Sequence, residues 1–165
     1  MKSRLRYIVS AATLLLVAVA LVAAAPASAT TTENFHATFH DVAFQNSCVP
    51  PIVFCGSGVI DTFGPATTIV RVTRNVPIPG TNCADVAGLR QMILDDGSGT
   101  LVTTFTGTRC PLGEGGHAST VDFTWVTDGT ASTGVFAGAT GGGTGVNTTA
   151  GNVQVVSLAG TITLP

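Results

Sequence analysis

Lysine is almost missing from this chain. Lys2 is the only one, and three of the seven basic residues, Lys2, Arg4 and Arg6, stand within the first six positions. Beyond residue 29 the cations are Arg71, Arg74, Arg90 and Arg109, set against nine acids, a formal charge of −5. Such a surface excludes the phosphate-neutralising role of a nucleic-acid or anionic-membrane binder. Leucine and glutamate, with lysine the usual helix fillers, are also scarce beyond residue 29, which argues against a helical fold. No Cys-x-x-Cys pair exists among the four cysteines, so a structural zinc site has no ligand spacing to start from. A Gly-x-Ser-x-Gly elbow is missing too. No metal or cofactor is expected.

What is present begins with an export signal. The basic start, an apolar run from Ile8 to Ala25 and the small residues Ala27-Ser28-Ala29 read as a secretory signal peptide cleaved after Ala29. The expected organisation is therefore a signal over 1–29 and a single domain over 30–165, secreted and not held in a membrane after cleavage.

The domain has a β composition, rich in Thr, Val, Phe and Gly. Alternation supports this: in Thr120 to Thr127, Val121, Phe123 and Trp125 share one face and Thr120, Asp122 and Thr124 the other. Turn signals such as Pro50-Pro51, Gly64-Pro65, Asp96-Gly97 and Asp128-Gly129 divide the chain into strands near 33–44, 52–63, 66–74, 84–95, 100–108, 117–128, 133–147 and 152–164. That count predicts an eight-stranded antiparallel sheet.

In an exported chain an even number of cysteines reads as disulfides. A hairpin folded about Asp96-Gly97 sets Cys83 opposite Cys110, within bridging range, and Phe105 opposite Gly88, where a ring covers bare backbone. Elimination then pairs Cys48 with Cys55 around Pro50-Pro51.

The stretch from Gly134 to Gly145, GVFAGATGGGTG, has the glycines of a phosphate loop but no lysine and no following helix. Val135, Phe136 and Ala139 give it apolar anchors that a spacer lacks, so it reads as a sheet corner. Together with the terminal Leu158-Ala159-Gly160-Thr161-Ile162-Thr163-Leu164, the run Thr133 to Thr144 resembles the C-terminal part of the allene oxide cyclase and dirigent-like barrel families. The resemblance implies a calycin-like, eight-stranded antiparallel barrel whose lumen takes one apolar small molecule. It also raises a cyclase or isomerase as an alternative to simple binding, but the matched positions are glycines and barrel-closing residues, so no catalytic residue carries across. A third alternative is a structural or interaction protein of the cell envelope.

His36 and His40, four residues apart on a strand, stand too far apart to share an ion. Arg71 and Arg90, mid-strand among apolar neighbours, are the candidate polar anchors for a ligand, with Asp122 or Asp61 as the expected counter-charge and Trp125 as a candidate wall. Whether the lumen is open or filled, and whether the strands also pair into an oligomer, both stay open at this stage.

Overall fold

The computed structural model describes residues 29–43, 54–113, 115 and 117–165. The signal-peptide reading thus falls, apart from Ala29, outside the described residues, as does Cys48. Among the described residues there are nine strands: β1 (Thr31–Ala43), β2 (Phe54–Ile60), β3 (Gly64–Pro77), β4 (Ala84–Leu94), β5 (Gly99–Leu112), β6 (Ala118–Thr127), β7 (Thr133–Gly134), β8 (Thr140–Ala150) and β9 (Val153–Leu164). Among the described residues there is no helix, and none therefore long and apolar enough to cross a membrane.

Eight of these strands close on themselves. Pairing runs β4-β3-β2-β1-β9-β8-β6-β5, and β4 pairs in turn with β5, every contact antiparallel. The result is an eight-stranded antiparallel barrel, and closure removes the open edges that a flat sheet of this composition would expose. The ninth strand, β7, is a two-residue addition paired with Gly99 and Thr100 of β5.

The β4–β5 register follows from its turn. Leu94 O accepts from Gly97 N at 3.0 Å, and Ser98 N donates to Asp96 Oδ1 at 2.8 Å. Gly97 takes a left-handed φ of 76°, which favours glycine. Gly88 consequently pairs with Phe105 and Ala84 with Arg109. One step further along, Cys83 and Cys110 are joined by a disulfide with Cα atoms 4.3 Å apart.

The expected strand over 133–147 is divided. Residues 135–139 form a corner in which Phe136 N, Ala137 N and Ala139 N donate to Thr133 O, Gly134 O and Phe136 O at 3.0–3.2 Å, while Gly138 N reaches Gly129 O at 2.9 Å. The corner turns Phe136 inward, where it is fully buried edge-on against Phe63, ring centroids 4.7 Å apart. The physical reason for the break is that a continuous strand would leave this ring outside the barrel, forfeiting about 1.5–3 kcal/mol of apolar burial.

Period-two alternation decides what faces inward. β1 buries Phe35, Ala37, Phe39, Asp41 and Ala43, β4 buries Ala84, Val86, Arg90, Met92 and Leu94, and β9 buries Gln154, Val156, Leu158 and Ile162. Phe35 and Trp125 meet at 5.0 Å between ring centroids across a row in which Phe35 pairs with Gly160, Gly160 with Gly143, and Gly143 with Trp125. Two glycines between the rings leave the space they occupy. This half of the lumen is filled, and the Trp125 indole N–H donates to Thr144 O at 3.1 Å, which gives the buried ring's polar end its partner.

Candidate functional site

The other half of the lumen is open. A cavity of about 370 Å³ lies between β2, β3, β4, β5, β6, β8 and β9, near the lower end of the range of about 300–1,000 Å³ for small-molecule sites. Its walls are the rings of Phe54, Phe105 and Phe123 with Val70, Val72, Val86 and Val121. Exposed Asn75 and Arg109 stand at its rim. Along one side run Asn147, Thr149 and Gln154, linked as Gln154 Nε2 donates to Thr149 Oγ1 and Thr149 Oγ1 to Asn147 Oδ1, each at 3.4 Å.

Arg90 is the charged group within. Its Nη1 donates to Asp41 Oδ2 at 3.0 Å and to Thr68 Oγ1 at 3.2 Å, and Thr68 Oγ1 donates to Asp41 Oδ1 at 2.8 Å. The side chains are 5% and 0% exposed for Arg90 and Asp41, so this ion pair is out of water. The Arg90 carbon Cζ lies 5.6 Å from the Phe39 ring centroid, a cation–π contact. Burial pulls the Arg90 guanidinium below its ordinary value, while the charge and hydrogen bond of Asp41 push it back up. Both Arg90 bonds use Nη1, which leaves Nε and Nη2 without a protein partner among the described residues.

Local sequence explains why the triad forms. Asp41 pairs with Gly56 on β2, and Gly56 pairs with Thr68 on β3. A Cβ at position 56 would lie 2.6 Å from Asp41 Oδ1, so glycine there is what lets the carboxylate cross one strand and reach the next.

The four residues singled out from sequence part company here. Arg90 lines the cavity, whereas Trp125 belongs to the filled half, 2% exposed, and does not line it. Arg71 and Asp122 are exposed on the outer face, Asp122 beside a shallow depression with Thr106, Thr108, Thr124 and Thr144. The expected counter-charge for Arg90 is corrected: Asp122 and Asp61 are both exposed, and Asp41 holds that place. The reason is parity, since Asp122 alternates with Val121 and Phe123 and so faces out. Asp41 was legible by the same rule, two residues on from Phe39 and four from Ala37, but was hidden beside the more conspicuous His36 and His40, which the strand turns outward. Among the described residues no group of three or more His, Cys, Asp or Glu could hold a metal ion. Comparisons with protein-family models, curated proteins and solved structures match none of them to this chain.

Proposed function

We propose that this chain is a secreted barrel protein that holds a small, mostly apolar molecule in the open half of its lumen. The observation that carries this reading is the cavity itself: about 370 Å³ walled by Phe and Val, with one buried, ion-paired Arg90 as its polar anchor. At about 30 Å³ per water, the space equals about a dozen waters, and so a ligand of about a dozen non-hydrogen atoms. Export after Ala29 accords with the Cys83–Cys110 bridge, because disulfides persist in oxidising compartments. The second bridge, Cys48 to Cys55, belongs to the same proposal, as does the kinship with the allene oxide cyclase and dirigent-like barrels.

A second reading, a cyclase or isomerase of the allene oxide cyclase type, is favoured by one observation, the buried Arg90–Asp41 pair beside an open cavity. Native mass spectrometry of protein from a secreting host tests the first: a co-purifying mass of a few hundred daltons is expected, lost in Val121→Phe, which fills the cavity from its wall. Binding unchanged in that variant would move the ligand out of the lumen. Turnover of a reactive small-molecule substrate, abolished in Asp41→Leu/Arg90→Met at an unchanged melting temperature, would favour the second.

A further inference from the structure

We infer that the cavity takes its ligand with an uncharged oxygen acceptor, a ketone, aldehyde or ester carbonyl, turned inward onto Arg90, and that Asp41 sets this preference by excluding carboxylates. The inference rests on the binding reading above and deepens it.

Arg90 lines the cavity, and its Nε and Nη2 have no protein partner among the described residues, so a ligand end that meets it should carry an acceptor. The charge of that acceptor is decided by what stands behind the guanidinium. Asp41, fully buried and 3.0 Å away, already neutralises Arg90, so the site as a whole carries no net charge. A ligand carboxylate would enter with no uncompensated cation to meet it and with Asp41 as a like charge close by, and burying an unpaired ion is far more costly than burying a hydrogen-bonded carbonyl. The walls offer no relief, since Asn147, Thr149 and Gln154 are uncharged and the rings and valines are apolar. Among the described residues the one other cation lining the cavity, Arg109, is exposed at the rim, where it can hold an anion only at the mouth.

Two probes of equal size separate the cases: methyl nonyl ketone and decanoate, each with about a dozen non-hydrogen atoms. Affinities are measured by titration calorimetry at neutral pH in the full chain and in Arg109→Gln, which removes the anion site at the mouth. In Arg109→Gln the ketone is expected to bind about tenfold or more tighter than decanoate, and Asp41→Asn in that background is expected to shift the ratio about tenfold or more towards decanoate. A preference for decanoate before the Asp41 change, or a ratio that Asp41→Asn does not move, overturns the inference. Should Asp41→Asn not fold, Asp41→Leu/Arg90→Met supplies the test: with the donor to the carbonyl gone it is expected to bind the ketone about tenfold or more weaker, and a ketone affinity unchanged there also overturns the inference. Failure of both probes to bind the unaltered protein would instead overturn the binding reading on which the inference stands.

Discussion

Removing one member of the buried ion pair should cost this protein far more stability than removing one member of an exposed pair, and the barrel contains both. Asp41 and Arg90 are 3.0 Å apart with side chains 0% and 5% exposed, while Arg74 and Asp85 are 3.4 Å apart, each 51% exposed. With an effective dielectric constant of about 20, two unit charges at the buried separation attract by about 5.5 kcal/mol. Asp41→Ala forfeits that attraction, strands Arg90 in the lumen and takes the acceptor from Thr68. The expected cost is about 3–5 kcal/mol, a large part of the total of about 5–15 kcal/mol for a domain. Asp85→Ala should cost about 0–1 kcal/mol, because water screens that pair already. Asp41→Leu/Arg90→Met should return close to the parent, since two apolar side chains need no counter-charge. Urea unfolding followed by the fluorescence of the chain's one tryptophan, buried at position 125, measures all three, with midpoints compared at constant slope. If Asp41→Ala proves as mild as Asp85→Ala, or the double variant as unstable as the single, the pair is not the desolvated element described here.

Three further outcomes can be checked on the same apparatus. Cys83→Ala/Cys110→Ala removes a bridge between positions 27 apart in sequence. It should lower stability by about 3–4 kcal/mol in the chain-entropy account, and an unmoved urea midpoint would contradict that. Gly145→Ala sets a methyl group against the Phe123 ring and should cost about 1–3 kcal/mol, much of it recovered in Gly145→Ala/Phe123→Leu; additive costs would refute the contact. The Asp96 carboxylate is held below its ordinary value by hydrogen bonds from Ser98, side chain first, and the Asp128 carboxylate by the Thr130 side chain and then by the backbone amides of Ala131 and Thr130. Depressed folded values contribute stability that is present above the unfolded carboxylate value, about 3.9, and is lost as pH falls through the folded ones. The fall in unfolding midpoint below about pH 4 should therefore be shallower in Asp96→Ala/Asp128→Ala, and an identical fall would show that these bonds do not form in solution.

The barrel was legible because each strand states its own parity. Val121, Phe123 and Trp125 mark the inner face of β6 unaided, and the Asp96-Gly97 turn fixes the β4–β5 register closely enough to name the Cys83–Cys110 bridge and the cover of Gly88 by Phe105. The glycines and apolar anchors of 134–145 announced a corner, but not that it would divide the strand expected over 133–147, because Thr133-Gly134 and Thr140 onward read equally well as one extended run; what separates them is the inward demand of Phe136, a tertiary matter. The site divided in the same way. Arg90 was visible as a charge among apolar residues, but its partner lies 49 positions away, and no local pattern ties Asp41 to it. Arg71, between Val70 and Val72, faces out because one step of parity separates it from them, whereas Arg90, between Leu89 and Gln91, shares its parity with the buried Val86 and Met92.

The glycines connect these observations to the cavity. An eight-stranded barrel has an interior just wide enough for side chains to fill, so an open half requires that some rings be kept from crossing it. Phe105 lies over Gly88, where a Cβ would sit 2.7 Å from its ring, and the Phe123 ring occupies the space a side chain at Gly145 would need. Laid along the wall in this way, both rings give the cavity an aromatic surface without closing it, and they touch each other at 5.7 Å between centroids. In the filled half the glycines do the opposite. Gly143 and Gly160 sit side by side between Phe35 and Trp125, and the room they leave lets two large rings meet across the lumen and shut it. Whether a glycine opens or closes this barrel thus depends on its cross-strand partners: one ring beside one glycine lies flat, whereas a ring on either side of two glycines forms a plug. The run Gly141-Gly142-Gly143-Thr144-Gly145 contains both arrangements two residues apart, at Gly143 and Gly145, and so lies on the boundary between the packed half of the lumen and the half that is left for a ligand.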